Sequence, residues 1–224
     1  MWGTVSLFFE MRIIPFDPAT FFATLTLIVG LLLAFWFSLG MGDGAAQDYE
    51  LFTRYTARLA FFFFLPIFIL GALNQLMALN QLMALNLLMK VGFVKALRPK
   101  RRLLGLTFGA AHLCHMFAIL LLHDQHETWF TADDAAALVI YSLLVLQVAT
   151  SNNWSVRAMG RSWRVLHWVA SYAIFTGFFV TYFARFQDNG GIIFGGLLTL
   201  AVSAWLIRIA AFFGRSRARI AAPS

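Results

Sequence analysis

The chain has 224 residues, 61% hydrophobic and 12% charged, with a formal net charge of +7. A mean hydropathy of +0.77 excludes an ordinary soluble domain and places the sequence among polytopic membrane proteins. Its basic residues lie in blocks between apolar runs, so the charge reads as topology, and no nucleic-acid partner is expected.

Residues 1–19 mix polar and apolar side chains. The first apolar run, 20–40, is nearer the ~20 residues of a full span than the roughly 7–15 of a signal core, and reads as a retained helix. Residues 41–58 carry Asp43, Asp48, Glu50, Arg54 and Arg58 and read as a connection. The second span covers about 59–80, with a kink expected at Pro66. The hexapeptide LNQLMA occurs at 73–78 and again at 79–84, followed by LNLLMK. A period of six advances about 240° on a helix, so Asn74, Asn80 and Asn86 share no face. The repeat over 73–89 reads as a duplication that lengthens the helix or its loop.

Lys90, Lys95, Arg98, Lys100, Arg101 and Arg102 form a basic block with no acid among them. The third span covers 103–122 and leads into an acidic turn with Asp124, Glu127, Asp133 and Asp134. The fourth covers 135–150. A basic connection with Arg157, Arg161 and Arg164 precedes the fifth, 163–183; the sixth covers 192–213, with Arg208 counted in the basic tail. With the N-terminus inside, all but three of the 17 Lys and Arg fall on the inner side. That is the bias the orientation rule requires. The expectation is an all-α, six-transmembrane-helix bundle, one integral membrane domain over residues 1–224, contacting membrane lipid, with both termini cytoplasmic.

Histidines in apolar spans are costly and mark candidate sites. His112 and His115 lie mid-span on the third helix, and His167 lies early in the fifth. Gly105 and Gly109 share a stripe with His112, leaving a groove where a flat group or a second helix could approach. Haem iron takes imidazole on each face, so His167 is paired with either His112 or His115 as axial, metal-binding residues, beside Gly105 and Gly109. Depth favours His112, about 15 Å past Arg102, against about 5 Å for His167 past Arg164. The two depths match only if the fifth helix starts earlier, near Val156, or tilts. The competing reading has the histidines simply packing helices in a cofactor-free scaffold or small carrier. His123 and His126 sit in the acidic turn and read as surface residues. The single cysteine, Cys114, forms no disulfide within the chain, and HLCH is not a covalent haem motif, so any haem is b-type. No Gly-rich dinucleotide fingerprint is present, and neither flavin nor quinone binding is signalled by a motif.

The run RRLLGL, the histidine pair, the acidic turn, a helix ending in TSN and then GRSWRVLHWVASY together resemble the ferric-reductase-like transmembrane family. Within it the chain is most similar to the haem-binding membrane subunits of periplasmic methionine-sulfoxide reductase systems, over roughly Arg54 to Arg185. Counted from Arg101 and Arg102, the family's third-helix ligand falls on His115. Its W-x-x-L-H motif falls on Trp163, Leu166 and His167. Where the family carries a second fifth-helix histidine, this chain has Val180, so one haem b is implied. The resemblance implies a redox subunit in the bacterial inner membrane. It would relay electrons from a cytoplasmic flavin reductase or a quinol toward a periplasmic acceptor protein.

Overall fold

A computed structural model describes residues 18–42, 44–78, 99–125 and 134–221. Among these the chain is all-helical: α1 (Pro18–Met41), α2 (Ala45–Ala78), α3 (Arg101–Gln125), α4 (Asp134–Ala149), α5 (Asn153–Met159), α6 (Arg161–Asn189) and α7 (Ile192–Ala221). Five helices, α1, α2, α3, α6 and α7, are long and apolar enough to cross a membrane. The expected fourth span is present as α4, but its 16 residues reach only about 24 Å, short of a ~30 Å hydrocarbon core. Its extension, α5, is bent from it by 105°, so a sixth span exists only if that bent pair is one crossing. The bend follows from local chemistry. Asn152 is extended and its side chain caps α5 by accepting from the Ser155 N–H at 2.8 Å.

The charged stretch expected to connect the first two spans is instead helical from Ala45 onward. No glycine or proline interrupts it after Gly44, and Glu50 pairs with Arg54 one turn away. At 34 residues α2 is about 51 Å long, so its charged first turns stand beyond a hydrocarbon core. The helix runs through Pro66 without ending. The first repeat unit, 73–78, lies on α2; the repeat from 79 onward, with Asn80, Asn86, His126 and much of the basic block, falls outside the described residues.

The interior is aromatic. Phe61, Phe64, Phe68, Phe108, Phe175 and Phe178 are buried together with Ala60, Ala111, Ala201 and Ala204, whose small side chains let α2, α3, α6 and α7 approach closely. Phe68 lies flat on Phe175, with centroids 4.2 Å apart and planes 3° apart. Outward faces of α1, α6 and α7 carry exposed Phe22, Leu32, Trp36, Val180, Leu206 and Phe212, the pattern of helices solvated by lipid.

Candidate functional site

The first turn of α3, the end of α4, α5 and the start of α6 meet at one end of the bundle around a cavity of about 480 Å³. Aromatic rings from Phe64, Phe68, Phe108, Trp163 and Trp168 wall it, and Arg101, Arg102 and Arg208 bring three guanidiniums to it. His167 lies on its wall. A network across helices holds the imidazole. Trp163 stacks on it with centroids 4.0 Å apart, and the Trp163 indole N–H donates to the Thr150 carbonyl at 2.8 Å. His167 Nε2 is 3.1 Å from the Thr150 hydroxyl. That hydroxyl directs its proton to the Leu146 carbonyl at 2.6 Å, so it accepts from Nε2–H, and the lone pair resides on Nδ1. Gln147 donates to Ser171 Oγ at 3.1 Å, and Ser171 donates to the His167 carbonyl at 2.7 Å.

The third-helix histidines lie elsewhere. His112 is buried and wedged among Phe108, Tyr141 and Phe178, at centroid distances of 5.3, 5.2 and 5.1 Å. His115 is 5.5 Å from it, ring to ring, and its Nδ1 meets the Thr56 hydroxyl of α2 at 3.3 Å. His112 Nδ1 is buried without a hydrogen-bond partner. Neither residue lines the cavity. Phe178, which meets the His112 ring, is eleven residues beyond His167 on α6, roughly 16 Å along the axis. The structure therefore brings His112 and His115 together and leaves His167 apart from both. The fifth span does not start early enough to close that gap, because Gly160, at φ 52°, separates α5 from α6.

The two glycines also divide. A Cβ at Gly105 would meet nothing within 4 Å, and this residue lines the cavity. A Cβ at Gly109 would lie 2.5 Å from Val148 Cγ2, so Gly109 is where α4 packs on α3. Gly105→Ala is accordingly expected to leave stability within about 0.5 kcal/mol of the parent. Gly109→Ala forces Val148 aside and is expected to cost roughly 1–3 kcal/mol. Unfolding of both variants in a denaturing-detergent titration checks the contrast.

Arg208 is a residue of this site that hydropathy and charge counting assign to the tail. It sits within the α7 span, half-buried. Its Nε donates to the Phe68 carbonyl at 2.9 Å, joined there by Nη2, and Nη1 donates to the Tyr172 hydroxyl at 2.9 Å. The guanidinium also lies 4.0 Å over the Phe68 ring. The missed signal is the arginine itself, since a charge inside an apolar run costs about 2.5–3.5 kcal/mol at a span's centre unless partnered. Arg208→Met is expected to lose about 1–3 kcal/mol, because the Tyr172 hydroxyl is left without its partner. Arg208→Lys is expected to recover only part, since an ammonium cannot reproduce the planar fork. Thermal unfolding of the two variants in micelles checks the order.

Among the described residues no group of three or more His, Cys, Asp or Glu side chains is placed to hold a metal ion. A site here would combine one imidazole with a flat organic group against Gly105 and the aromatic walls. No family model, no curated protein and no solved structure matches the chain, so the chemistry of the site stands on its own residues.

Proposed function

We propose that the chain is a b-type haem-binding membrane subunit that relays single electrons, with the haem in the cavity beside His167. The observation that carries this reading is one imidazole on the wall of an aromatic cavity whose floor at Gly105 is open. Arg101 and Arg102, at the mouth of the cavity, suit the two carboxylates of a haem. The resemblance of the RRLLGL and W-x-x-L-H segments to ferric-reductase-like membrane proteins supports the same reading. The donor set suits ligation on one face only: His112 and His115, roughly 16 Å away in depth, do not suit a bis-histidine pair with His167.

Haem, when bound, would supply one-electron storage at iron, and the protein's part is binding, orientation and electrostatics. His167 would be the residue that holds the iron, with Trp163 and Thr150 fixing the imidazole's plane and tautomer. The buried rings of Phe64, Phe68 and Phe108 would exclude water. Arg101 and Arg102 would offset the carboxylates at the end where basic residues gather, which is the cytoplasmic end by the positive-inside rule. Both termini are then cytoplasmic, in a bacterial inner membrane. The donor is a cytoplasmic flavin reductase or a quinol, and the acceptor a periplasmic redox protein. The test is a pyridine-haemochrome count on the purified protein and on His167→Ala. About one haem b per chain in the parent, absent from the variant, is expected; equal content in both would overturn the placement.

A second reading is favoured by a specific observation: His115–Thr56 and His167–Thr150 are interhelical contacts that need no cofactor. In that reading the chain is a scaffold, and it stays colourless when expressed with added haem.

A further inference from the structure

A second cavity, of about 720 Å³, opens among α1, α2 and α3 at the end opposite the basic cluster. Four aromatic side chains line it, Phe35, Tyr49, Phe52 and Phe117, together with Leu39, Leu113, Leu121, Cys114 and Asp48. Phe35 and Phe52 meet edge to face at 6.0 Å. Asp48 is held in place by its backbone, its N–H donating to the Gly44 carbonyl at 3.0 Å. Its Oδ1 is buried and has no hydrogen-bond donor. A Cβ at Gly42 would lie 1.7 Å from that oxygen, so only a glycine admits the carboxylate here. That oxygen packs against Gly42, while Asp48 as a whole stays partly exposed, so the cavity combines an acidic residue with aromatic rings, whose faces also attract cations.

Depth gives the occupant's shape. Thr56 of α2 lies level with His115 of α3, in contact at 3.3 Å. Asp48 is eight residues earlier on α2, about 12 Å nearer the helix end, and so at the level of the last turn of α3. Leu113, Cys114 and Phe117 lie deeper. The anion sits at interfacial depth and the apolar lining extends from it toward the middle of the bundle. That order matches an amphiphile with a cationic head outward and a hydrocarbon body inward. The exposed Phe35, Leu39 and Phe117 leave the lining open sideways, along the route a lipid chain would take.

We propose that this cavity is a site for a phospholipid with a primary-ammonium head, whose N–H groups donate to the Asp48 carboxylate while its chains lie along Phe117 and Leu121. A quaternary ammonium offers the charge without the donor, and an anionic head meets repulsion from Asp48. The site is independent of the haem cavity, so either can fail alone.

The experiment is native mass spectrometry of the full chain released from micelles supplemented with phosphatidylethanolamine, phosphatidylcholine or phosphatidylglycerol of matched chains. Retention of phosphatidylethanolamine is expected to exceed that of the other two by about tenfold, as for one lost charge-assisted hydrogen bond of roughly 1.5 kcal/mol. Asp48→Asn is expected to remove the preference. Cys114→Phe, which fills the lining and leaves the carboxylate, is expected to lower retention of all three lipids. Equal retention of the three lipids by the parent would overturn the proposal, as would a preference undiminished in Asp48→Asn or an overall retention undiminished in Cys114→Phe. Copurification of a prenyl quinone that blocks phosphatidylethanolamine binding would also overturn it.

Discussion

Phe68→Ala is expected to lower stability by about 3–5 kcal/mol, the cost of truncating a buried aromatic side chain where the surroundings close only partly. Four contacts converge on this ring. Phe175 stacks on it, Tyr172 and Phe64 pack at 5.5 Å, and the Arg208 guanidinium covers it at 4.0 Å. These partners come from α2, α6 and α7, so a void here loosens three helices at once. Phe62 on the same helix is the control, because it is 64% exposed and its ring faces outward. Phe62→Ala exchanges protein contact for lipid contact and is expected to change stability by about 0.5 kcal/mol or less. Denaturing-detergent titrations of the two variants should separate by several kcal/mol; coincident curves would mean that the aromatic centre does not hold the bundle together.

The second large effect concerns the histidines. His167→Ala is expected to abolish haem binding, whereas His112→Ala and His115→Ala are expected to retain it and lose stability instead. The asymmetry follows from placement: only His167 reaches the cavity. His115→Ala leaves Thr56 with the Phe52 and Thr53 carbonyls of its own helix, so the loss there should be small, about 0.5–1.5 kcal/mol for one hydrogen bond. His112→Ala removes a ring packed against three others and is expected to cost more, roughly 2–4 kcal/mol. Haem content measured beside melting temperature distinguishes the two kinds of loss. Loss of haem in His115→Ala with the melting temperature unchanged would put the ligand on α3.

The helices were legible because long apolar runs have one economical solution in lipid, with every backbone group bonded inside its own segment. That logic located both ends of α1 and α3 to within three residues and the starts of α6 and α7 to within two, but α6 and α7 run six and eight residues past their expected ends. It failed at the first turns of α2, where Asp48, Glu50, Arg54 and Arg58 look like a loop by composition. Charges continue a helix as readily as they end one when no glycine or proline intervenes and opposite signs fall four apart. The end of α4 was legible as well, but the basic connection after it proved helical: one cap at Asn152 starts α5, bent by 105° from α4.

The candidate residues were legible one by one, as costly groups in apolar segments. Their grouping was legible only in part. Spacing along the helices already gave His167 a shallower depth than His112, and Gly160, by starting α6 no earlier than Arg161, keeps that gap open. The role of Gly109, by contrast, is decided by Val148 of another helix. Arg208 was misread because counting charges by side asks only which end a residue is nearest. Its partners, the Phe68 carbonyl and Tyr172, lie on α2 and α6.

The most direct test of the central claim is the spectrum of the dithionite-reduced protein before and after carbon monoxide is admitted. With His167 as the only protein ligand, a bound haem would be able to take up carbon monoxide, so a b-type spectrum that shifts on adding the gas is the expected result. A low-spin spectrum indifferent to carbon monoxide would mean two protein ligands and contradict the one-histidine site. A folded protein that stays colourless when haem is supplied would contradict the haem reading itself.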